Sequence, residues 1–82
     1  MRMTRNKQMI LDLLASEPED EYLPAAAVAE RLGKRMTDVA RTLRLMEDQG
    51  LVVSVVREVP VDRPGLGTYT RALKCYQRAV DI

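Results

Sequence analysis

The sequence predicts a mainly α-helical domain of three helices closed by a small two-stranded β-hairpin. Three observations predict it. Val39, Leu43 and Met46 recur at i, i+4 and i+7, which is one apolar stripe of a helix. Gly33 and Gly50 bracket that stripe as helix stops, where a left-handed backbone is cheap only for glycine. Beyond Gly50 the period changes: Leu51-Val52-Val53-Ser54-Val55-Val56 is rich in β-branched residues and reads as a strand.

Taken in order, Thr4 is the expected N-cap of a first helix over about residues 5–16, with Ile10, Leu13 and Leu14 on its buried face. Ser16-Glu17-Pro18 ends it, since a residue before proline avoids the α region. Glu19-Asp20-Glu21 continues as a solvated acidic loop that repels phosphate. Pro24 suits the first turn of a second helix, and Ala25, Ala26, Ala27 and Ala29 are strong helix formers. Leu23, Val28 and Leu32 supply its apolar contacts. The third helix runs from about Met36 to Gln49. Val59 to Gly67 holds two prolines and two glycines and reads as a turn-rich loop. Thr68-Tyr69-Thr70 returns as a strand, with Tyr69 expected in the core beneath the hairpin. Leu73, Tyr76 and Val80 fall at i, i+3 and i+7, which allows a short C-terminal helix; Thr70-Arg71-Ala72 extending the strand is the other reading. The chain is thus one domain over 1–82: a helix-turn-helix over about 24–50, a hairpin over about 51–71 and a tail over 72–82. The expected core is Ile10, Leu13, Leu14, Val28, Leu32, Val39, Leu43 and Met46.

Composition narrows the function classes. A chain of 82 residues, 46% hydrophobic and 30% charged, suits one small folded domain. No apolar run approaches the ~20 residues that span a bilayer, so no membrane partner is expected. The start, Met1-Arg2-Met3-Thr4, does not lead into a signal-peptide core. One cysteine, Cys75, cannot form an internal disulfide; it reads as a half-buried structural residue and points to a cytoplasmic setting. With no histidine and one cysteine, neither a Ser-His nor a Cys-His pair can be built, and no His/Cys metal cluster exists. Gly65-Leu66-Gly67 precedes a strand rather than a helix, so it is no phosphate cradle. The expectation is a non-enzyme with no cofactor and no metal.

The net charge of +1 conceals an uneven distribution. Arg31, Lys34, Arg35, Arg41 and Arg44 fall between residues 31 and 45 against one acid, Asp38. Arg41 and Arg44 lie off the apolar stripe of the third helix and are the candidates for guanine contacts, because a guanidinium fork donates twice to O6 and N7. Lys34 and Arg35 are candidates for phosphate contacts, which give affinity without sequence information. Thr37 and Asp38 lie at the helix end that enters a groove first. Asp38 either accepts from cytosine N4 or stabilises the helix N-terminus by its charge, the latter favoured. Met36 is a thymine-methyl contact or a packing residue. In the hairpin, Arg57 and Arg63 are candidates for minor-groove or backbone contacts, with a solvated hairpin tip as the even alternative.

The motifs also carry a resemblance. Leu23, Ala25-Ala26, Ala29-Glu30-Arg31-Leu32-Gly33, then Val39, Leu43, Met46 and Gly50-Leu51-Val52 follow the pattern of bacterial winged helix-turn-helix regulators, with no insertion between Gly33 and Gly50. Gly65-Leu66-Gly67-Thr68-Tyr69 resembles the returning wing of small pilus-operon regulators of the FaeA and PapI type, and is similar to wings of the MarR and ArsR groups. Over residues 5–73 the resemblance implies a winged helix that binds double-stranded DNA and regulates transcription. Two features depart from the pattern. Arg35 stands where the family has a capping Ser or Thr, so Thr37 is the substitute cap, and Pro24 replaces the capping residue of the second helix. The apolar surplus of Val52, Val55 and Val56, with Leu73, Tyr76 and Val80, leads to the expectation of a homodimer built from the tail, with the first helix as a further contributor. The alternative function is a winged helix that binds protein, such as a phage-encoded inhibitor or adaptor.

Overall fold

Thr4 opens the first helix as its chemistry requires. In the computed structural model, which describes residues 3–80, its backbone is extended and its hydroxyl accepts from Lys7 N–H at 3.3 Å. Met1 and Arg2 of the N-terminal start, and the last two residues of the tail, lie outside the described residues. Helix α1 spans Arg5–Ala15 and stops at Ser16, whose hydroxyl donates back to Leu13 O at 2.6 Å. Helix α2 spans Ala25–Leu32 and α3 spans Met36–Asp48.

Both α2 and α3 end in the same glycine device. Gly33 sits at φ 65, with its N–H on Glu30 O and the Lys34 N–H on Ala29 O at 3.0 Å. Gly50 sits at φ 76, with its N–H on Glu47 O and the Leu51 N–H on Met46 O at 2.9 Å. This paired 6→1 and 5→2 bonding satisfies the last helical carbonyls and turns the chain sharply. The start of α3 differs from expectation. The helix begins at Met36 with Arg35 as an extended N-cap that makes no side-chain bond, and Thr37 is inside the helix rather than capping it. Pro24 likewise precedes α2 rather than sitting in its first turn.

The sheet has three strands, not two. Strand β1 is the pair Leu23–Pro24, β2 spans Val52–Arg63 and β3 spans Gly67–Arg78. The order is β1-β3-β2, all antiparallel, with Leu23 opposite Tyr76 and Pro24 opposite Cys75. The domain is therefore three helices with a small antiparallel sheet. The short C-terminal helix does not form, because the segment from Leu73 to Arg78 is paired residue by residue with β2. That register runs unbroken from Val52 opposite Arg78 to Arg63 opposite Gly67. The turn-rich loop shrinks to Pro64-Gly65-Leu66. Pro64 presets φ, Gly65 takes φ 85, and Leu66 N–H closes on Arg63 O at 3.1 Å, a type II turn. Pro60 is accommodated because β2 is an outer strand.

Each 12-residue strand extends about 40 Å at ~3.3 Å per residue, so the hairpin sets the long axis of a molecule measuring 46 × 24 × 21 Å. Its base joins the core and its outer half projects from it. The core gathers Ile10 and Leu14 of α1, Val28 and Ala29 of α2, Val39, Leu43 and Met46 of α3, and Leu23, Leu51, Val52 and Tyr76. Leu13 and Leu32 pack on it half-buried. Tyr69, expected in the core, is 38% exposed, because it lies on the projecting half of β3.

Two buried polar side chains tie this core to its periphery. Lys7 lies on the α1 face of Ile10 and Leu14 and donates to Gln49 Oε1 at 3.0 Å, beyond the end of α3. Gln77 donates to Pro18 O at 3.0 Å and to Glu21 O at 2.8 Å, and its own oxygen accepts from Arg78 N–H. The acidic loop after α1 is thus fastened to β3 by its main-chain carbonyls, which accept from the buried side-chain amide of Gln77. Among the described residues no helix is long and apolar enough to cross a membrane, and no three His, Cys, Asp or Glu are grouped to hold a metal.

Candidate nucleic-acid interface

The geometry of α3 follows from its period. Val39, Leu43 and Met46 are buried, so the side chains half a turn away face outward. Thr37, Arg41 and Arg44 form that outward stripe at i, i+4 and i+7, and all three are exposed. With Met36 and Ala40 they line an open depression of about 260 Å³. Ala40 keeps the helix surface low between the longer side chains, so a ligand edge can approach the backbone there. Met36 is 52% exposed, which makes it part of this surface rather than of the core.

Among the described residues neither Arg41 nor Arg44 is paired with a carboxylate. The two ion pairs among the described residues are Arg31 with Glu17 and Lys74 with Glu47. The first removes Arg31 from the basic segment, since its guanidinium is committed to the end of α1. The second lies at the far end of α3, where Lys74 Nζ reaches Glu47 Oε1 at 2.5 Å and the Ser54 hydroxyl donates to the other carboxylate oxygen. Lys74 also lies close enough to Arg44 to feel its charge.

Lys34 and Asp38 stand beside the stripe rather than on it. They line a small recess with Asn6, Ile10, Val39 and Thr42 at the junction of α1 and α3. Lys34 is half-buried and Arg35 exposed, both at the turn that leads into α3. Asp38 occupies the first turn, where its charge complements the helix N-terminus; Thr42 donates to its main-chain oxygen at 2.9 Å.

The hairpin arginines are placed elsewhere. Opposed residues share a face of an antiparallel pair, so Ser54, Lys74 and Tyr76 lie on the face that meets α3 and the core. Arg57 and Arg63 belong to the other face. Arg57 reaches Asp20 O at 3.4 Å and its guanidinium lies 5.4 Å from the centre of the Tyr22 ring. It braces the acidic loop. The structure therefore brings together Met36, Thr37, Arg41 and Arg44, sets Lys34, Arg35 and Asp38 next to them, and leaves Arg57 and Arg63 apart.

The tail residues are also separated. Leu73 is half-buried on the hairpin, Tyr76 is 6% exposed within the core and Val80 is exposed after β3 ends. They share no helical face, because the segment has strand periodicity. Ala40 and Lys74 are not among the site residues that the sequence predicts. Ala40 was legible from the 36, 40, 44 spacing of α3, whereas Lys74 depends on cross-strand register.

The Glu47 cluster gives a pH-dependent expectation. The Lys74 ammonium, then the Ser54 hydroxyl, hold the Glu47 carboxyl below its ordinary 4.5. A carboxyl whose folded pKa is depressed contributes stability above the unfolded value and loses it as pH falls through the folded one. Urea unfolding of wild type and Glu47→Gln should therefore differ most near neutrality, with the gap closing on acidification below about 4.5. A gap independent of pH would mean that the pairing contributes nothing.

No protein-family model matches the chain, and neither the curated proteins nor the solved structures contain a match to it.

Proposed function

We propose that this chain is a winged helix-turn-helix protein that binds double-stranded DNA through α3 and regulates transcription from the cytoplasm. One observation carries the reading: the exposed, ion-pair-free stripe of Thr37, Arg41 and Arg44 around an open depression on a helix anchored by its opposite face. A rigid helix presenting arginines outward fits the major groove, whose guanine edges offer paired acceptors. The order of elements supports the fold assignment: helix, short strand, helix, glycine turn, helix, then a long hairpin. Lys34 and Arg35 at the turn are suited to adjacent phosphates, and they fix register without reading bases.

The role of the hairpin changes in this reading. Arg57 is engaged with Tyr22 and the Asp20 carbonyl, so it is withdrawn from groove contact, and base readout is assigned to α3. Selection from a library of genomic fragments by the purified chain tests the proposal. Enrichment of one short site is the expected result. A pool that stays unselected after repeated rounds, from protein of native helix content, would contradict sequence-specific binding. The protein-binding alternative draws on a different observation, the apolar outer face of the hairpin.

A further inference from the structure

The outer half of the hairpin carries an unusual combination on the face turned away from α3. By register, Val59, Val61, Tyr69 and Leu73 share that face with Arg63 and Arg71. Val59, Val61 and Leu73 are half-buried and Tyr69 is 38% exposed, on the part of the hairpin that projects from the core. All charge on this face is positive, for Glu58 and Asp62 occupy the opposite one. At the base of the same face lies the acidic loop, with Glu19, Asp20 and Glu21 exposed. Gln77 and Arg57 hold its main chain there.

We infer that this face is the interface of a two-fold homodimer, in which two hairpins pack face to face and antiparallel. An isologous contact must be self-complementary, and this surface is. Reversing one hairpin over the other brings its basic tip to the partner's acidic base, twice. The two valine and tyrosine ladders then cover each other at the ~10 Å spacing of packed sheets. A parallel arrangement would stack arginine on arginine. Edge-to-edge pairing through β2 is disfavoured, because Pro60 lacks an N–H and charged residues flank it on that outer strand. The interface thus uses the projecting hairpin rather than the tail stripe, since Tyr76 is already inside the monomer. It leaves the α3 depression open on each copy.

Two charge-reversed variants test this by sedimentation velocity at about 50 μM, a concentration at which any dimer of micromolar or tighter affinity is mostly assembled. One carries Arg63→Glu and Arg71→Glu; the other carries Glu19→Lys and Glu21→Lys. All four positions are exposed, so folding should persist, and circular dichroism checks it. Wild type should sediment as a dimer. Each variant alone should be a monomer, because its tip and loop then repel. An equimolar mixture should restore the dimer, since both tip-to-loop contacts become complementary again. A wild-type monomer at that concentration, variants that still dimerise, or a mixture that stays monomeric would each overturn the proposal. DNA binding enters none of these readouts.

Discussion

Replacing Leu43 with alanine is expected to lower the unfolding free energy by about 2–5 kcal/mol, the range for a large-to-small change in a packed core. Leu43 is fully buried and stands in the middle of the α3 stripe, between Val39 and Met46, on the helix that packs against both α1 and α2. Total stability for a chain of this size is of the order of 4–12 kcal/mol at about 0.05–0.15 kcal/mol per residue. The loss is therefore a large share of the whole. Leu45→Ala is the matched control: the side chain is 48% exposed, and a change within about 0.5 kcal/mol is expected. Urea unfolding of the three proteins measures both. A Leu43→Ala loss below about 1 kcal/mol would mean that α3 is not the central packing element.

The second large effect concerns binding. Arg41→Ala and Arg44→Ala should each weaken the complex with a selected DNA site by about 1–3 kcal/mol, the worth of a bidentate base contact, which is roughly 5- to 150-fold in affinity. Both side chains are exposed and project from a helix whose core face is untouched by the change, so stability should hold. The loss should fall on the selected site and spare scrambled duplex. Arg57→Ala should leave DNA affinity unchanged, because that guanidinium is bound to Tyr22 and the acidic loop. Anisotropy titrations with selected and scrambled duplexes separate these outcomes. Equal loss on both duplexes would assign Arg41 and Arg44 to phosphates rather than bases.

What the sequence disclosed depended on whether the signal was local. The 39, 43, 46 stripe, the glycine stops at 33 and 50, and the cap at Thr4 act within a few residues of themselves, and the structure keeps them. Leu73, Tyr76 and Val80 imitated a helical stripe, but the stripe had no cross-strand information in it. Pairing with β2 forces period two, so Tyr76 turns into the core while Leu73 goes to the other face. Strand β1 was illegible for a related reason: two residues have no period, and Leu23–Pro24 is a strand only because β3 lies beside it. Lys7 drew no expectation from the sequence, since nothing local marks a lysine for burial, yet it is buried with Gln49 as a partner. At the candidate site, α3 residues were legible from helical spacing alone. The hairpin arginines were not, since their face depends on the register of a 12-residue pairing.

The central claim is DNA binding by the α3 surface, and titration of wild-type protein into labelled duplex across a salt series tests it most directly. The account predicts clear binding at about 50 mM salt, with log K falling linearly against log salt as counterions are released. Lys34→Ala should lower affinity on every duplex and reduce that slope by about one unit. Absence of binding at about 50 mM salt, where phosphate contacts are strongest, would contradict the account.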